Sequence, residues 1–271
     1  MKVAFIGGGV MGEAIISGLL AKGTARAEEI TASDALAERR AYLKEKYGVR
    51  VTEDNRAALA AGDVVVLAVK PQTLPAVFRD IKGQAQPPQT YLSIVAGATI
   101  DALARGLLHP AIVRAMPNTP GQIGEGISVW TATQAVGPER QQQARAILQA
   151  LGDEMYISDE KYLNMVTALS GSGPAYVFLF IEALIDAGVH IGLPRDMARR
   201  LVIQTVQGSA RYAAKTGKHP GELRDMVSSP GGTTVEALLR LEEGGFRAAI
   251  LRAVVAAHDK AVRLGEQEKK S

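Results

Sequence analysis

The stretch VAFIGGGVMGEAI near the N-terminus constrains the fold more than any other part of this chain. A short apolar run leads into the spacing G-x-G-x-x-G, formed by Gly7, Gly9 and Gly12, and a helix-forming stretch follows. Gly7 permits a tight turn, Gly9 lets a pyrophosphate approach the backbone, and Gly12 allows a helix to pack closely on a strand. The unpaired N–H groups at the helix start then meet the phosphate charge. The pattern predicts a dinucleotide-binding βαβ unit, whose cofactor-binding loop consists of Gly7, Gly8, Gly9, Val10, Met11 and Gly12.

The first 159 residues continue this α/β pattern. Helical patterns such as those at 10–22, 36–47 and 139–151 lie between short runs rich in Val, Ile and Leu. Such runs, apolar along their length rather than alternating, are typical of strands buried on both faces of a parallel sheet. The predicted strands lie at 2–7, 29–33, 63–69, 90–96, 111–116 and 126–131. We predict an α/β domain over 1–159, with a doubly wound sheet of the Rossmann type that binds NAD(P).

The rest of the chain has a helical pattern and shows no convincing strand. Helices are predicted at 160–168, 174–190, 194–216, 220–228, 233–243 and 246–267. The segment AYVFLFIEALIDAGV carries Glu182 and Asp186, so we interpret it as a buried bundle helix rather than a membrane span. Because it is apolar around most of its circumference, burial against a second copy explains it equally well. We therefore predict an all-α domain over 160–271 and a homo-oligomer formed through its helices.

Composition narrows the functional classes. Hydrophobic residues make up 47% of the chain and charged residues 22%, as in an ordinary soluble protein. The net charge is only +3, and no stripe of Lys and Arg interleaves with aromatics, which argues against nucleic-acid and membrane-surface partners. The chain has no Cys, and its four His residues lack metal-ligand spacing, so no metal site is predicted. Three glycines interrupt the apolar N-terminal run, unlike a signal peptide, and we expect a cytoplasmic enzyme.

The choice between NADH and NADPH depends on the end of the second predicted strand. Asp34 lies 22 residues after Gly12, close to the spacing at which an acidic residue binds the ribose hydroxyls of NAD. Ser33 could instead donate to a 2′-phosphate, with Arg39 or Arg40 reaching it from the next helix. The local sequence leaves both cofactors open.

Three more loops are predicted at the carboxyl edge of the sheet, where open α/β folds bind ligands. In VLAVKPQ, a rigid loop that contacts the cofactor through its backbone is favoured over a catalytic lysine; its residues are Ala68, Val69, Lys70 and Pro71. The next predicted strand ends at Ala96 and Gly97, which we also assign to the cofactor. In MPNTPGQIGEG, Asn118 either orients a nicotinamide ring or caps the turn.

Two glycine-rich breaks interrupt the helical half. In LSGSGPAYVF, the residues before a helix predicted to start at Pro174 leave backbone donors exposed for a ligand or a neighbouring helix. In VSSPGGTT, Gly231 and Gly232 precede Thr233 and Thr234, which open the next helix. N–H groups and hydroxyls at a helix start suit an anion, either a phosphate or a carboxylate. The alternative is a threonine that caps the helix with no ligand bound.

The motifs FIGGGVMG, AVKPQ, MPNTP, SGSGPAY and VSSPGGTTVEALLRLE, in this order, closely resemble the pyrroline-5-carboxylate reductase family. The resemblance spans nearly the whole chain, and the last motif is the most specific. It implies a Rossmann domain, a helical dimerisation domain, and a homodimer or a ring of homodimers. The implied reaction is the NAD(P)H-dependent reduction of 1-pyrroline-5-carboxylate to L-proline, and many family members prefer NADPH.

The resemblance also assigns residues. Those matching Ser33, Asn55 and the Ala68 to Pro71 loop contact the cofactor in that family, and those matching Thr233 and Thr234 contact the substrate. Residues matching Glu160 and Thr167 lie near the site. We therefore predict that the substrate contacts Glu160, Thr167, Ser172, Gly232, Thr233 and Thr234, of which Thr234 is catalytic. One departure is Met226, where some members have Asn.

The residue inventory suits this chemistry. A cyclic imine protonated on nitrogen is already an electrophile, so the enzyme needs positioning and water exclusion more than a strong acid or a metal. The sequence predicts that the VSSPGGTT break binds a small anionic substrate facing the nicotinamide across the domain cleft. Two alternatives stay open. A β-hydroxyacid dehydrogenase would need a catalytic lysine, for which only Lys161 is near the expected place, and a redox sensor would bind the cofactor alone.

Overall fold

The structure is a computed structural model that describes the backbone of residues 1–270 and the side chains up to residue 265. Eight strands form one sheet in the order β3-β2-β1-β4-β5-β6-β7-β8. The strands are β1 (Val3–Ile6), β2 (Ile30–Ser33), β3 (Arg50–Thr52), β4 (Val64–Leu67), β5 (Thr90–Ser93), β6 (Ile112–Met116), β7 (Gly126–Ala132) and β8 (Gly152–Tyr156).

The centre of the sheet is buried on both faces, as the continuous apolar runs predict. Every residue of β1 and β4 is buried, and the two strands pair in parallel with Val3 opposite Val64. Alternate residues along the strands enter separate hydrophobic clusters, Phe5 on one face and Ile6 on the other. The Rossmann-type fold class predicted from the sequence is confirmed.

The sheet is not parallel throughout. Strands β1 to β6 run in one direction, whereas β7 pairs with β6 in antiparallel fashion and β8 runs parallel to β7. Only nine residues, 117–125, connect β6 to β7, and a parallel crossover needs a dozen or more. The two strands that the sequence did not reveal, β3 and β8, are the sheet edges. They are short or polar and partly exposed, so they lack the apolar signal of the central strands.

Six helices accompany the sheet: α1 (Val10–Ala21), α2 (Ala37–Tyr47), α3 (Asn55–Ala61), α4 (Leu74–Ile81), α5 (Ile100–Leu107) and α6 (Pro138–Gln149). Of these, the three shortest, α3 to α5, were not predicted individually. Two of them have clear start signals, since Asp54 caps α3 through the N–H of Arg56 and Thr99 caps α5 through the N–H of Ala102.

The remaining helices are α7 (Tyr162–Val166), α8 (Gly173–His190), α9 (Arg195–Thr216), α10 (Pro220–Met226), α11 (Thr233–Glu243) and α12 (Phe246–Lys270). The prediction of a helical second half is confirmed, and α11 has the predicted bounds. The chain divides into two compact units, Met1–Ser172 together with the chain from Ala257 onward, and Gly173–Ala256.

The first glycine-rich segment, LSGSGPAYVF, does not interrupt the helical structure. Thr167–Gly171 forms a π-helical turn that joins α7 to α8, so the helix does not start at Pro174. The N–H of Ser172 donates to the carbonyl of Thr167 at 2.8 Å and is not exposed for a ligand. Thr167 donates its hydroxyl to the carbonyl of Leu163 at 2.7 Å, an interaction that competes with regular helix bonds.

Helix α8 also differs from the buried bundle helix that the sequence predicted. Within the described chain none of its residues is buried, and Phe178 and Leu179 are 57% and 68% exposed. By length and composition alone, the continuous helix Tyr162–His190 could cross a membrane, since it contains an 18-residue window with a mean hydropathy of 1.5. An apolar helix of this exposure requires a partner that the single chain does not supply.

Candidate active site

The three motif glycines have different structural roles. Gly7 has φ +98°, and a Cβ there would lie 2.8 Å from the carbonyl oxygen of Ala68. A Cβ on Gly12 would lie 2.6 Å from the carbonyl oxygen of Gly7, so this residue must be glycine for α1 to pack against the loop. A Cβ on Gly9 would meet no described atom within 4 Å. Gly7 and Gly12 therefore shape the loop, and Gly9 borders open space.

That open space lies at the start of α1. Gly9 is the N-cap of the helix, and no side chain of the described residues caps it. The first N–H groups of the helix are thus available to an anion, and the missing Cβ leaves room for one to approach. These features fit the pyrophosphate of a dinucleotide.

Asp34 joins the glycine loop to the end of β2. Its Oδ2 accepts from the N–H of Gly8 at 2.9 Å, and its Oδ1 accepts from the N–H of Leu36 at 3.0 Å. Ser33 is fully buried, and its hydroxyl lies 2.7 Å from Oδ1 of Asn55. In this arrangement Asp34 borders the glycine loop, whereas Ser33 is engaged with Asn55.

The two arginines after β2 are bound to the protein. Arg39 contacts the carboxylate of Glu13 and donates to the carbonyl of Gly8, and Arg40 donates to the carbonyl of Asp34 at 2.8 Å. Both guanidinium groups therefore support the backbone of the two loops where the adenosine half of a dinucleotide would bind.

Glu13 is the centre of a polar cluster on the outer side of α1. Partial burial raises its pKa, but four hydrogen bonds outweigh that effect and hold the pKa at about 2. The donors are Arg39, Tyr47, Lys46 and Tyr42. A glutamate in the first turn of a helix is common, so the sequence carries no signal that sets this residue apart.

The loop after β4 packs its backbone against the motif. The N–H of Ala68 donates to the carbonyl of Ile6 at 2.9 Å, and Pro71 begins a short 3₁₀ helix, Pro71–Thr73. Lys70 is exposed. The loop after β5 contains Gly97, whose φ is +83°. A Cβ added to Gly97 would lie 3.4 Å from Cβ of Leu264.

Asn118 hydrogen-bonds across the loop between β6 and β7, and its side chain does not cap the 3₁₀ helix Thr119–Ile123 that follows it. Its Oδ1 accepts from the N–H of Ile127 at 3.0 Å, across the loop between β6 and β7. Its Nδ2 lies 3.3 Å from the hydroxyl oxygen of Ser170, in the π-helical turn. An additional nicotinamide contact by this amide stays a prediction.

Glu160 pairs with a buried arginine, Arg114, which was not among the site residues predicted from the sequence. Its Oε1 accepts from Nη1 of Arg114 at 2.5 Å and from the N–H of Ile100 at 2.8 Å. The Arg114 side chain is 4% exposed, although it lies in an otherwise apolar strand. A charged residue inside the run AIVRAM was the available sequence signal.

The start of α11 has no side-chain cap within the described residues, and its N-cap is Gly232 rather than a threonine. The alternative in which a threonine caps this helix is therefore wrong. Gly231 has φ +67°, and the N–H of Gly232 donates to the carbonyl of Ser229 at 2.9 Å, which shapes the turn. Thr233 and Thr234 lie in the first turn of α11, whose leading N–H groups can donate hydrogen bonds to an anion. Met226 ends α10 and is 57% exposed.

A dinucleotide loop on a doubly wound sheet, followed by a helical unit, defines a two-part nicotinamide-dependent oxidoreductase. Family comparison agrees in both parts: residues 2–97 match the model for NADP oxidoreductase, coenzyme F420-dependent, and residues 160–264 match the model for pyrroline-5-carboxylate reductase dimerisation. The chain belongs to the pyrroline-5-carboxylate reductase family.

Individual relatives support the same assignment. The chain is 43% identical to pyrroline-5-carboxylate reductase of Synechocystis over 98% of its length and 99% of that protein. The structure resembles a pyrroline-5-carboxylate reductase from Coxiella burnetii, with TM-score 0.87, 38% identity and coverage of 97% and 98%. It also resembles the Plasmodium falciparum pyrroline carboxylate reductase with NADP bound, with TM-score 0.89, 32% identity and 98% coverage of both chains.

Proposed function

We propose that this chain catalyses the NAD(P)H-dependent reduction of 1-pyrroline-5-carboxylate to L-proline, the last step of proline biosynthesis. The observation that carries the proposal is the near-full-length match to enzymes of this name, at 43% identity over 98% of the chain. The glycine loop and the uncapped start of α1 would bind the dinucleotide, and the uncapped start of α11 would bind a small anion.

The cofactor is NADH or NADPH and supplies the hydride. Its pyrophosphate would bind at the start of α1, and its adenosine ribose beside Asp34. The full set of residues proposed to hold it is Gly7, Gly8, Gly9, Val10, Met11, Gly12, Ser33, Asp34, Asn55, Ala68, Val69, Lys70, Pro71, Ala96, Gly97 and Asn118.

The substrate carboxylate would bind the N–H groups at the start of α11, and the hydroxyl of Thr234 would hydrogen-bond to the ring nitrogen. As the new C–H bond forms at the imine carbon, the C=N π electrons return to the protonated nitrogen and its positive charge disappears. The product amine then takes a proton from solvent. Gly232 and Thr233 would also contact the substrate at the start of α11, and the sequence assigns Thr167 and Ser172 to the substrate as well.

The chain contains a dimerisation domain of this family at residues 160–264. We propose that the assembly is a homodimer or a ring of homodimers, and that a second copy rather than lipid covers the exposed face of α8. Functionally, residues 1–159 would bind the cofactor, and residues 160–271 would bind the substrate and the second copy. A cytoplasmic location completes the proposal, since a cysteine-free chain suits a reducing compartment.

The activity is tested by mixing the purified chain with NADPH or NADH and 1-pyrroline-5-carboxylate, then following cofactor absorbance and L-proline. We expect steady turnover with L-proline as the product. Turnover of a hydroxyacid but not of the imine would support a β-hydroxyacid dehydrogenase. Cofactor binding without turnover of either would support a redox sensor.

The role of Thr234 is tested in the same assay. Thr234→Ala removes the hydroxyl and should lower kcat about tenfold to a hundredfold, because a hydrogen bond to a reacting group is lost. The cofactor Kd should change less than about twofold, since the hydroxyl would not contact the dinucleotide. Thr234→Ser keeps the hydroxyl and should restore most of the rate. An unchanged kcat in Thr234→Ala would contradict the role.

A further inference from the structure

Gly8 is held at both of its backbone polar groups by side chains from the segment after β2. Its N–H donates to Oδ2 of Asp34 at 2.9 Å, and its carbonyl oxygen accepts from Nε of Arg39 at 2.5 Å. A Cβ on Gly8 would lie 2.5 Å from Cδ1 of Leu43, so α2 packs closely against this residue. Gly8 is buried, whereas the next residue, Gly9, is exposed.

Glu13 holds the arginine in this position. Oε2 of Glu13 accepts from Nη2 of Arg39, and the two side chains are only 18% and 23% exposed. The guanidinium also lies over the ring of Tyr42, with 4.9 Å between Cζ and the ring centre. Because Nε and Nη2 belong to one rigid, planar group and bond to two different acceptors, the orientation of the guanidinium is fixed.

The carboxylate of Glu13 is fixed in turn by three further donors. Its Oε1 accepts from the hydroxyls of Tyr47 at 2.7 Å and Tyr42 at 3.0 Å, and from Nζ of Lys46 at 3.1 Å. These donors lie on α2, as does Arg39, whereas Glu13 lies in the first turn of α1. Glu13 therefore fastens α2 to the start of α1, directly beside the glycine loop.

The hydrogen bond to the carbonyl of Gly8 also sets the direction of the next N–H. The peptide that joins Gly8 to Gly9 is trans and planar, so the C=O of Gly8 and the N–H of Gly9 point in opposite directions. While Arg39 holds the carbonyl, the N–H of Gly9 points away from the guanidinium. Among the described residues this N–H has no acceptor. It lies at the uncapped start of α1, where the pyrophosphate is proposed to bind.

A second role for Arg39 is a direct contact with the 2′-phosphate of NADPH, since the residue follows the end of β2. In the structure, however, Nε and Nη2 are engaged with Gly8 and Glu13. This engagement favours a role in holding the loop over a role in binding a phosphate. The two roles predict different effects on NADH, which lacks the 2′-phosphate.

We propose that Arg39 and Glu13 are positioning residues that hold the Gly8–Gly9 peptide so that the N–H of Gly9 faces the pyrophosphate of the cofactor. Arg39 acts through the glycine loop and does not contact the 2′-phosphate. This inference rests on the proposed function, in which NADH or NADPH binds at the start of α1. Because both cofactors contain the pyrophosphate, the pair supports both equally, unlike Asp34, which is proposed to lie beside the ribose that differs between them.

The test measures the Kd of NADPH and of NADH by the fluorescence of the reduced nicotinamide, using the full-length chain. Arg39→Met removes the guanidinium at similar length and should raise both Kd values about fivefold to twentyfold, as a charge-assisted hydrogen bond to the loop is lost. Glu13→Gln keeps an oxygen acceptor but removes the charge, and should raise both about threefold to tenfold. The ratio of the two Kd values should stay within about twofold of the wild type in each variant, because the lost support acts on the shared pyrophosphate.

Two comparisons separate positioning from a charge effect. The double variant should be no worse than Arg39→Met alone, because both changes break the same support. Arg39→Lys keeps the charge but lacks the planar fork that reaches Gly8 and Glu13 together, so it should still raise both Kd values at least about threefold. A wild-type Kd in Arg39→Lys would show that charge alone is needed and would overturn the proposal. So would an Arg39→Met variant in which only the Kd of NADPH rises, since that result identifies a ligand of the 2′-phosphate.

Controls separate positioning from general damage. Arg26→Met breaks the exposed pairs of Arg26 with Glu28 and Glu29, before β2, and should leave both Kd values unchanged. At saturating cofactor, the kcat and the KM for the imine should stay within about twofold of the wild type in Glu13→Gln, because the pair is proposed to act on the pyrophosphate and not on the reacting groups. If Arg39→Met does not fold, Glu13→Gln and Arg39→Lys still give the comparison. Unchanged Kd values in folded Arg39→Met and Glu13→Gln would contradict the proposal, whereas failure of the wild type to bind either cofactor would instead refute the proposed function.

Discussion

At the scale of single residues, Asp34 is the carboxylate beside the glycine loop, where the adenosine ribose is proposed to bind. Its carboxylate receives two backbone N–H donors, from Gly8 and Leu36, at the end of β2. A carboxylate in this place accepts hydrogen bonds from ribose hydroxyls and repels a 2′-phosphate. Arg39 does not offset this charge freely, because its guanidinium is bound to Glu13 and to the backbone of Gly8.

Neutralising Asp34 should therefore shift cofactor preference. In Asp34→Asn, the ratio of the Kd for NADPH to the Kd for NADH should fall about tenfold, since a repulsive charge near the 2′-phosphate is removed. Asp63→Asn is a matched control. The Asp63 carboxylate accepts from the backbone N–H of Lys2 at the amino ends of the central strands, away from the carboxyl ends where the cofactor is proposed to bind. An unchanged ratio in Asp34→Asn would show that this carboxylate does not select the cofactor.

Glu13 links a single residue to the pH dependence of stability. Its pKa is about 2 in the folded chain against an ordinary value of 4.5, so its contribution is complete above pH 4.5 and is lost as pH falls toward 2. Glu13→Gln should lower the free energy of unfolding near pH 7 by about 1–2 kcal/mol, a figure reduced for partial solvent screening.

The measurement is urea unfolding of wild type and Glu13→Gln between pH 7 and pH 3, followed by the fluorescence of the single tryptophan, Trp130, which is 1% exposed. The difference between the two proteins should be constant above about pH 5 and should shrink below it. Glu38→Gln, an exposed position on α2, should have little effect. A difference that does not vary with pH would refute the role of Glu13.

At the scale of elements, two glycines at the start of α1 have different roles: Gly12 is needed for packing, and Gly9 leaves room for a ligand. A methyl group on Gly12 would collide with the backbone oxygen of Gly7, which cannot move without opening the loop. A methyl group on Gly9 would enter the space that the proposed pyrophosphate needs and would touch no described atom of the protein. The two glycines of one motif thus have different roles, Gly12 in packing and Gly9 in leaving space for the proposed pyrophosphate.

The pair makes a matched experiment. Gly12→Ala should lower the free energy of unfolding by about 2–3 kcal/mol through overpacking. Gly9→Ala should change it by less than about 1 kcal/mol, the range for a helix N-cap, while raising the cofactor Kd more than about tenfold. Unfolding in urea and cofactor fluorescence measure the two quantities. Equal Kd values for Gly9→Ala and wild type would place the pyrophosphate elsewhere.

At the scale of the whole molecule, the unit Gly173–Ala256 exposes many large apolar side chains, such as Leu179, Leu201 and Leu251. A groove along α12 has a volume near 410 Å³ and is open to solvent in the single chain; it is lined by Phe246, Ile250, Leu251, Val254 and Val255 together with one charged residue, Arg247. Exposed apolar surface of this kind marks a protein contact. The groove lies within residues 160–264, which match the family model for pyrroline-5-carboxylate reductase dimerisation.

A charge in this groove should break the assembly. Leu251 is 64% exposed, and Leu251→Glu should convert the wild-type oligomer to a monomer in light scattering after size exclusion, because burying a carboxylate in an apolar contact costs free energy even with Arg247 one turn earlier on α12. Leu108→Glu is equally exposed at 64% but lies after α5, and it should leave the mass unchanged. A wild-type monomer, or an intact oligomer in Leu251→Glu, would exclude this groove from the interface.

The sequence by itself determined the fold class, the position of the glycine-rich loop after β1 and the helical second half. Each depends on local chemistry, since the glycine spacing, the apolar strand runs and the helix periodicity can be recognised within short windows. The same holds for α11, whose bounds follow from Gly232 and Thr233 at its start and Gly244 at its end.

Only the tertiary structure decided the reversal of β7 and β8, the π-helical turn at Thr167–Gly171, and the pairing of Arg114 with Glu160. These features depend on partners far apart in the chain, such as Glu160 and the N–H of Ile100. Which donor meets which acceptor is set by the packing of the sheet and helices, because a buried polar group must find its partner wherever the fold places one. Exposure of α8 belongs to the same class, since an apolar helix signals burial but not the surface that buries it.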